Sequence, residues 1–369
     1  MSTNRAEAII DPAAIAANIN LLKRTTSADL LAVVKADAYG HGLVPVAKAA
    51  LNAGASWLGV ALLEEALTLR SHGVTAPLIA WLVPPGSDFE SAIKHNIDIA
   101  VPSIAVFNEV VTAGKIVGIQ PRIHIEVDTG MTRGGFLDEW QRFLTVDFSH
   151  VDVIGFFSHF ARADEPGQPQ NQVQRERFLA MRDELKKVGV APQISHLSNS
   201  AATLVDGDSA FDMVRTGIAM YGLHPDASLL RNEELQPAMQ LRAKLHLVKE
   251  VPAGSPVGYG ATAMTERDTK LGVVAMGYAD GIPRIARGAG IFHCGRRAPL
   301  IGRVSMDQFV VDLGPDSLAE SGDWVTVFGS GRAGEYTADD WAAAAGTINY
   351  EIVTRIGPRV PRIYDNHVD

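Results

Sequence analysis

Residues 31–42 read LAVVKADAYGHG. An apolar, strand-like run stops at one lysine, and small, polar and glycine residues follow. Lysine is among the side chains most rarely buried, so its place at the end of such a run points to a fold in which strand ends matter. Other short apolar runs share the pattern. LLAVV (30–34), WLGVA (57–61), PLIAWL (77–82) and IDIAV (97–101) precede RIHIEV (122–127), VDVIGFF (151–157), QISHL (193–197) and DMVRTG (212–217). Helix-period segments alternate with them, after an opening helix expected near 12–24. LLEEALTLRSHG and QVQRERFLAMRDELKKVG each end on glycine, a common helix stop. Strands apolar along their whole length suit a parallel sheet covered on both faces. Eight such units over about 220 residues predict a (β/α)8 barrel. DMVRTG fits least well, because an arginine interrupts it.

After LHPDASLLRNEELQP (223–237) the pattern changes. LRAKLHLVKEV (241–251) alternates apolar and polar residues with period two. KLGVVAMGY, APLIGRV, DQFVVDL and DWVTVFG follow, split by Gly, Pro and Asp, with a helix expected near 337–345. The fold class is therefore α/β, a (β/α)8 TIM-type barrel over 11–233 followed by a mostly antiparallel β domain over 234–369.

A chain of 369 residues exceeds the usual size of one core. Its net charge of -9 argues against a nucleic-acid partner, which wants a basic patch. The single cysteine, Cys294, excludes an intrachain disulfide and a multi-cysteine metal site. His41, His124 and His196 lack zinc-like spacing, and no metal is assigned. The first residues lack a signal-peptide core, no run reaches membrane-spanning length, and the expected location is cytoplasmic.

In a barrel of this kind, chemistry gathers at the C-terminal strand ends. Lys35 ends the first strand, Arg133 lies in the loop after the fifth, and His159 ends the sixth. Asn199 and Ser200 follow the seventh, and Arg215, Gly217 and Ile218 end the eighth. SNSAAT (198–203) offers hydroxyls and N–H groups at an expected helix start, and RTGIAMYG (215–222) a glycine that admits close backbone approach. A phosphate pocket beside a strand-end lysine suggests pyridoxal phosphate, whose aldehyde forms a Schiff base with an amine. Desolvation would help that amine lose its proton. Each residue also has an ordinary alternative. Lys35 can snorkel to solvent, Ser200 can cap a helix, Gly217 can serve a turn, and His159 can be a satisfied core histidine. Arg215 can sit in an interior ion pair, and Tyr259, in GYG, can be a hairpin-turn tyrosine.

Taken together, the motifs resemble the alanine racemase family. AVVKADAYGHG, DTGMTRGG (128–135), FSHFARADE (157–165), HLSNSAAT (196–203) and MVRTGIAMYGL (213–223) match in order. So do PVGYGATAM (256–264), GYADGIPR (277–284), GRVSMDQ (302–308) and INYEIVTRIGPRVPRIY (348–364). The resemblance implies a pyridoxal 5'-phosphate-dependent racemase that interconverts L- and D-alanine for peptidoglycan. It implies a homodimer with shared active sites, and an N-terminal strand, residues 1 to about 10, that joins the β domain. Lys35 would carry the cofactor and act as one base, and Tyr259 of the partner chain as the other. Tyr39, Asn199, Ser200, Gly217, Ile218 and Tyr350 would hold the phosphate region. Arg133 would contact the cofactor and the substrate carboxylate, and His159 would bond toward Arg215, which faces the ring nitrogen. Tyr278 and Met306 of the partner would line the substrate entry, with Glu126 and Asp307 in support. A tyrosine titrating near 10 needs positive neighbours to act as a base, and the Arg215–His159 pair is the candidate.

Some positions depart from that pattern. Many members carry a lysine, carbamylated, where this chain has Glu126. Its carboxylate is expected to pair directly with Arg133 and replace the carbamate. Ser305 stands where some members have cysteine. Tyr350 fits the alanine-specific pattern, and its bulk favours alanine over serine. The alternatives are a serine or broader amino-acid racemase, a non-catalytic pyridoxal phosphate-binding barrel protein, and a barrel-type decarboxylase. The second lacks a β domain, and the third would need a glycine-rich phosphate loop that is not seen here.

Overall fold

The computed structural model describes residues 4–226, 229 and 235–365. The chain forms two compact units, one of Ile15–Ala38 and Leu43–Leu235, the other of Met1–Ala14, Tyr39–Gly42 and Gln236–Asp369.

Strand β1 (Ala6–Ile10) opens the chain and belongs to the second unit. The expected helix follows as Pro12–Thr25. The first unit then runs through β2 (Asp29–Val33), β3 (Trp57–Val60), β4 (Leu78–Ala80), β5 (Asp98–Val101), β6 (Arg122–Glu126), β7 (Asp152–Phe157), β8 (Ile194–His196) and β9 (Met213–Thr216). These are the eight strands expected, all parallel, in the spatial order β8-β7-β6-β5-β4-β3-β2-β9. Hydrogen bonds from Asp212 N–H to Ser195 O (3.1 Å) and from Arg215 N–H to Ser198 O (2.9 Å) close the ring between β8 and β9. The arginine in DMVRTG does not break the strand, because its side chain is buried and bonded, as described below.

Helices Leu43–Asn52, Leu63–Ser71, Ile104–Val117 and Pro169–Lys187 cover the sheet. Ser103 Oγ caps the third by accepting the Val106 N–H, and Gly118 (φ 69°) ends it in the left-handed region. Phe136 and Phe143 stack at 3.9 Å in an aromatic cluster beside β6 and β7.

In the second unit β10 (Met239–Val251) is the long central strand. It is followed by β11 (Pro256–Val257), β12 (Ala263–Met264), β13 (Thr269–Val274), β14 (Gly290–His293), β15 (Arg296–Pro299), β16 (Phe309–Asp312), β17 (Trp324–Phe328) and β18 (Arg362–Tyr364). The order β15-β14-β17-β10-β1-β18 is mostly antiparallel, with β13 and β16 branching from β10. As expected, β1 joins this sheet, antiparallel to β10 (Ala6 opposite Ala243) and parallel to β18 (Ala8 opposite Arg362). The expected helix near 337–345 forms as Ala338–Ala345. APLIGRV is a strand only through Pro299, and a second helix, Asn349–Thr354, follows.

Tyr39–Gly42 lies in this unit by close backbone contact. A Cβ on Gly40 would stand 2.4 Å from Val353 O, and Arg362 Nε donates to Gly40 O at 2.8 Å. Among the described residues, no helix is long and apolar enough to cross a membrane.

Candidate active site

Lys35 starts a turn unlike any the sequence suggested. Ala36, Asp37, Ala38 and Tyr39 have φ of 54°, 54°, 52° and 53°, and Gly40 has 79°. This is helical winding of the left-handed sense, which costs about 1–2 kcal/mol per non-glycine residue. Three bonds hold it in the first unit. Ala38 N–H donates to Val34 O (2.9 Å), Ala36 N–H to Glu65 Oε1 (2.6 Å), and Leu43 N–H to Asp37 Oδ1 (2.8 Å). Lys35 is half-buried. Burial, and then the charge of Arg133, lower its pKa, against a smaller opposing pull from Glu65. Among the described residues it has no ion-pair partner.

The DTGMTRGG loop folds back on β6. Asp128 Oδ1 accepts the N–H groups of Gly130, Met131 and Thr132 at 2.9, 3.1 and 3.0 Å, and Phe136 N–H donates to Glu126 O at 2.8 Å. Arg133 is thereby presented on an exposed tip. The expected direct pair with Glu126 does not form. Among the described residues no hydrogen bond or ion pair joins them, because the Glu126 carboxyl turns against Gly134, 3.2 Å from where a Cβ there would stand. Nor is Glu126 a ready anion. Burial raises it to about 7, although Arg133 and Arg215 pull it down.

Arg215 is almost fully bonded. Nη1 donates to His196 Nδ1 (3.0 Å) and His196 O (2.8 Å). Nη2 donates to Ser158 O (2.7 Å), Leu197 O (3.1 Å) and His159 Nδ1 (3.2 Å). Its Nε–H has no partner among the described residues. Burial lowers the guanidinium to about 10, so it stays charged at neutral pH. The expected bond from His159 toward Arg215 is present. Burial, Arg215, Arg133 and Lys35 push His159 well below 6.5, so the ring is neutral. The Arg215–His159 pair therefore carries one positive charge, on Arg215.

Near this cluster, Asn199 rather than Ser200 caps the helix Ser200–Val205, its Oδ1 accepting the Ala202 N–H at 3.0 Å. Ser200 Oγ instead accepts the N–H groups of Gly217 (2.9 Å) and Ala219 (3.4 Å), which ties the loops after β8 and β9 together. Ile218 is buried beside them.

The second unit gathers the remaining residues. Tyr39 and Tyr350 place their ring centroids 6.1 Å apart, and burial drives the Tyr39 phenol well above its ordinary value. Tyr259 stands at the tip of the β11–β12 hairpin and is 68 % exposed. Gly258 and Gly260 turn the chain there with φ of 70° and 75°. Tyr278 and Met306 are brought together. Tyr278 N–H donates to Ser305 O and Ala279 N–H to Met306 O, both at 3.0 Å. Arg359 Nη2 holds Asp307 at 2.7 Å.

The family model for the alanine racemase N-terminal domain matches residues 10–225, and that for the alanine racemase C-terminal domain matches residues 238–364. The chain belongs to the alanine racemase family. It is 49 % identical over 369 residues to the alanine racemase of Salinispora arenicola, covering 98 % of each chain. It is 48 % identical over 371 residues to that of Thermobifida fusca, covering 98 % of this chain and 99 % of the other. Its fold superimposes on the crystal structure of the alanine racemase from D-cycloserine-producing Streptomyces lavendulae with a TM-score of 0.97. The two are 46 % identical over 100 % of this chain and 99 % of that one. The Bacillus anthracis alanine racemase with bound L-Ala-P gives a TM-score of 0.93 at 36 % identity, over 100 % and 97 %.

Within this alanine racemase family member, three supporting residues went unread in the sequence. Glu65 clamps the Lys35 turn. Gln174 is fully buried, donates to His159 O (2.9 Å) and accepts the Ala161 N–H (2.8 Å). His196 accepts from Arg215. The two alternating histidines in RIHIE and QISHL were the available signal for the last, once the strands were paired.

Proposed function

We propose that the chain interconverts L- and D-alanine with pyridoxal 5'-phosphate as cofactor, with Lys35 and Tyr259 as the two acid–base groups. It does so as a cytoplasmic homodimer that supplies D-alanine for peptidoglycan, Tyr259 entering from the partner chain. The observation that carries this reading is the Lys35 amine, held at a strand end with a lowered pKa and no ion-pair partner among the described residues.

The donors present suit this cofactor. An amine that gives up its proton easily suits an aldehyde, and the bonded loops at Ser200 and Gly217 suit a phosphate. The Arg215 Nε–H suits a ring nitrogen. When bound, pyridoxal phosphate supplies the electron-withdrawing ring that makes the α-hydrogen of an amino acid acidic. Arginine keeps its own proton, so it leaves that nitrogen unprotonated and the electron sink weak, which restricts side reactions.

Racemisation removes a proton from one face of Cα and returns one to the other. Lys35 serves one face and Tyr259 the other. Arg133, whose guanidinium has no hydrogen-bond partner among the described residues, takes the substrate carboxylate. Tyr39, Asn199, Ile218 and Tyr350 bound the phosphate side, and Tyr350 limits the side-chain space to a methyl group. Tyr278 and Met306, with Asp307 behind them, line the entry.

The test gives the purified protein L-alanine, and separately L-serine, in deuterated water. D-alanine carrying deuterium at Cα supports the reading. Deuterium exchange without D-product rules out two-face transfer, and faster turnover of serine rules out the assigned substrate.

A further inference from the structure

Behind Arg215 a line of buried polar side chains crosses the barrel interior. His196 Nδ1 accepts from Arg215, and His196 Nε2 lies 2.9 Å from His124 Nδ1. His124 Nε2 lies 3.2 Å from Asp98 Oδ2, and Asp98 also receives Arg122 Nε (2.7 Å) and Nη2 (3.0 Å). His196, His124 and Asp98 are 0 %, 0 % and 1 % exposed. Asp98 and Arg122 begin β5 and β6, whereas Arg215 donates to carbonyls just beyond the ends of β7 and β8. The line therefore runs from one rim of the barrel to the other.

Only one arrangement of protons satisfies it. A guanidinium has donors alone, so His196 Nδ1 accepts and its ring carries a proton on Nε2. That proton is donated to His124 Nδ1, so His124 carries its own proton on Nε2, aimed at Asp98. A charged ring at either position would set two N–H groups face to face. Burial opposes ionisation of Asp98, but the hydrogen bonds from His124 and Arg122 outweigh it and hold the carboxyl below its usual range. Burial and Arg215 push His196 well below 6.5.

Packing fixes the rings. Phe157 stacks on His196 with centroids 4.9 Å apart and planes 5° apart, and Trp57 meets His124 edge-on at 5.5 Å. Gly155 leaves the space that His124 fills, since a Cβ at 155 would stand 1.9 Å from its Nδ1.

We propose that Asp98, His124 and His196 are positioning residues for the reaction. By fixing one tautomer at each ring, they hold Arg215 in the orientation that leaves its Nε–H for the cofactor. The proposal rests on the function given above. Without a carboxylate at 98, the His124 proton is no longer confined to Nε2. His196 then loses its acceptor, turns an N–H toward Arg215, and displaces the guanidinium.

Ring-nitrogen NMR of the full-length holoenzyme, labelled at histidine with nitrogen-15, reads each tautomer directly. The unchanged enzyme is expected to show the neutral Nε2–H form at both His124 and His196. Asp98→Asn turns an NH2 toward His124, and Gly155→Ala displaces the ring without altering a polar group. Each is expected to bring up a second tautomer or a charged ring and to shift the absorption of the bound cofactor. Each is also expected to lower kcat on the order of 10²-fold with KM for alanine little changed. An Nδ1–H or doubly protonated ring in the unchanged enzyme overturns the proposal, and that measurement needs no variant to fold. Altered tautomers with unchanged absorption and kcat overturn it too. An unchanged enzyme that makes no D-alanine sinks the functional reading instead, and the tautomer measurement does not depend on that.

Discussion

Glu65 Oε1 accepts the Ala36 backbone N–H at 2.6 Å, while its other oxygen accepts the N–H groups of Ala61 and Leu62 at 3.0 Å each. One carboxylate thus caps its own helix and clamps the turn that begins at Lys35. Glu65→Gln sets an NH2 against backbone donors on one side. The expected loss is about 2 kcal/mol in denaturant unfolding.

The same turn reverses a familiar rule. Alanine to glycine in an exposed helix is destabilising by about 1 kcal/mol. Ala36 is exposed at φ 54°, in the left-handed region that glycine enters freely. Ala36→Gly is expected to leave stability unchanged or raise it by about 1 kcal/mol. A loss of that size in the unfolding midpoint would contradict the left-handed winding.

Glu126 gives a pH signature. Its folded pKa, about 7, exceeds that of an unfolded glutamate near 4.3. Between these values the folded chain keeps a proton that the unfolded chain has released. The stabilising contribution is complete below about 4.3 and is lost as pH rises through about 7. Glu126→Gln, always neutral, does not lose it. The stability difference in favour of the variant is expected to grow between pH 5 and pH 8, approaching the order of 3 kcal/mol. A difference independent of pH would show that Glu126 is ionised throughout.

Arg215→Lys keeps the charge and loses the bonds. One ammonium cannot serve His196 Nδ1, His159 Nδ1 and the carbonyls of Ser158, His196 and Leu197. The expected outcome is a stability loss of about 3 kcal/mol by thermal or denaturant unfolding.

Gly277→Ala drives a Cβ to 2.3 Å from Met306 O. The hydrogen-bonded segments carrying Tyr278 and Met306 must spread. Overpacking of this kind costs about 1–3 kcal/mol, and KM for alanine is expected to rise. An unchanged KM would contradict the proposed role of Tyr278 and Met306 at the substrate entry.

The barrel was legible because most of its strands are rich in apolar residues and two of its helices end on glycine. The strand-end rule then located Lys35, Arg133, His159, Asn199, Ser200, Arg215, Gly217 and Ile218 at one end of the sheet. The left-handed turn was not legible, because alanine, aspartate and tyrosine do not favour positive φ, and a glutamate well downstream stabilises it. Glu126 was misjudged for a related reason. Its carboxylate was expected to stand in for a carbamate and pair with Arg133, but its burial and the direction it turns depend on how the loop folds back. The histidine line escaped notice because His124 and His196 meet only when β6, β7 and β8 are paired. In the second unit, β11 and β12 are two residues each, too short to carry a periodicity.

The placement of β1 bears on how the chain is made. This strand precedes the barrel in the chain, yet its neighbours on both sides, reached at Met239 and Tyr364, emerge only after the whole barrel has been synthesised. The barrel can complete its own pairing during translation, while the other unit must wait for strands that follow the barrel and close over a long span of chain. A nascent polypeptide therefore carries an unsatisfied strand for as long as the barrel is being made. Truncation just short of Arg362 leaves that strand without its parallel neighbour.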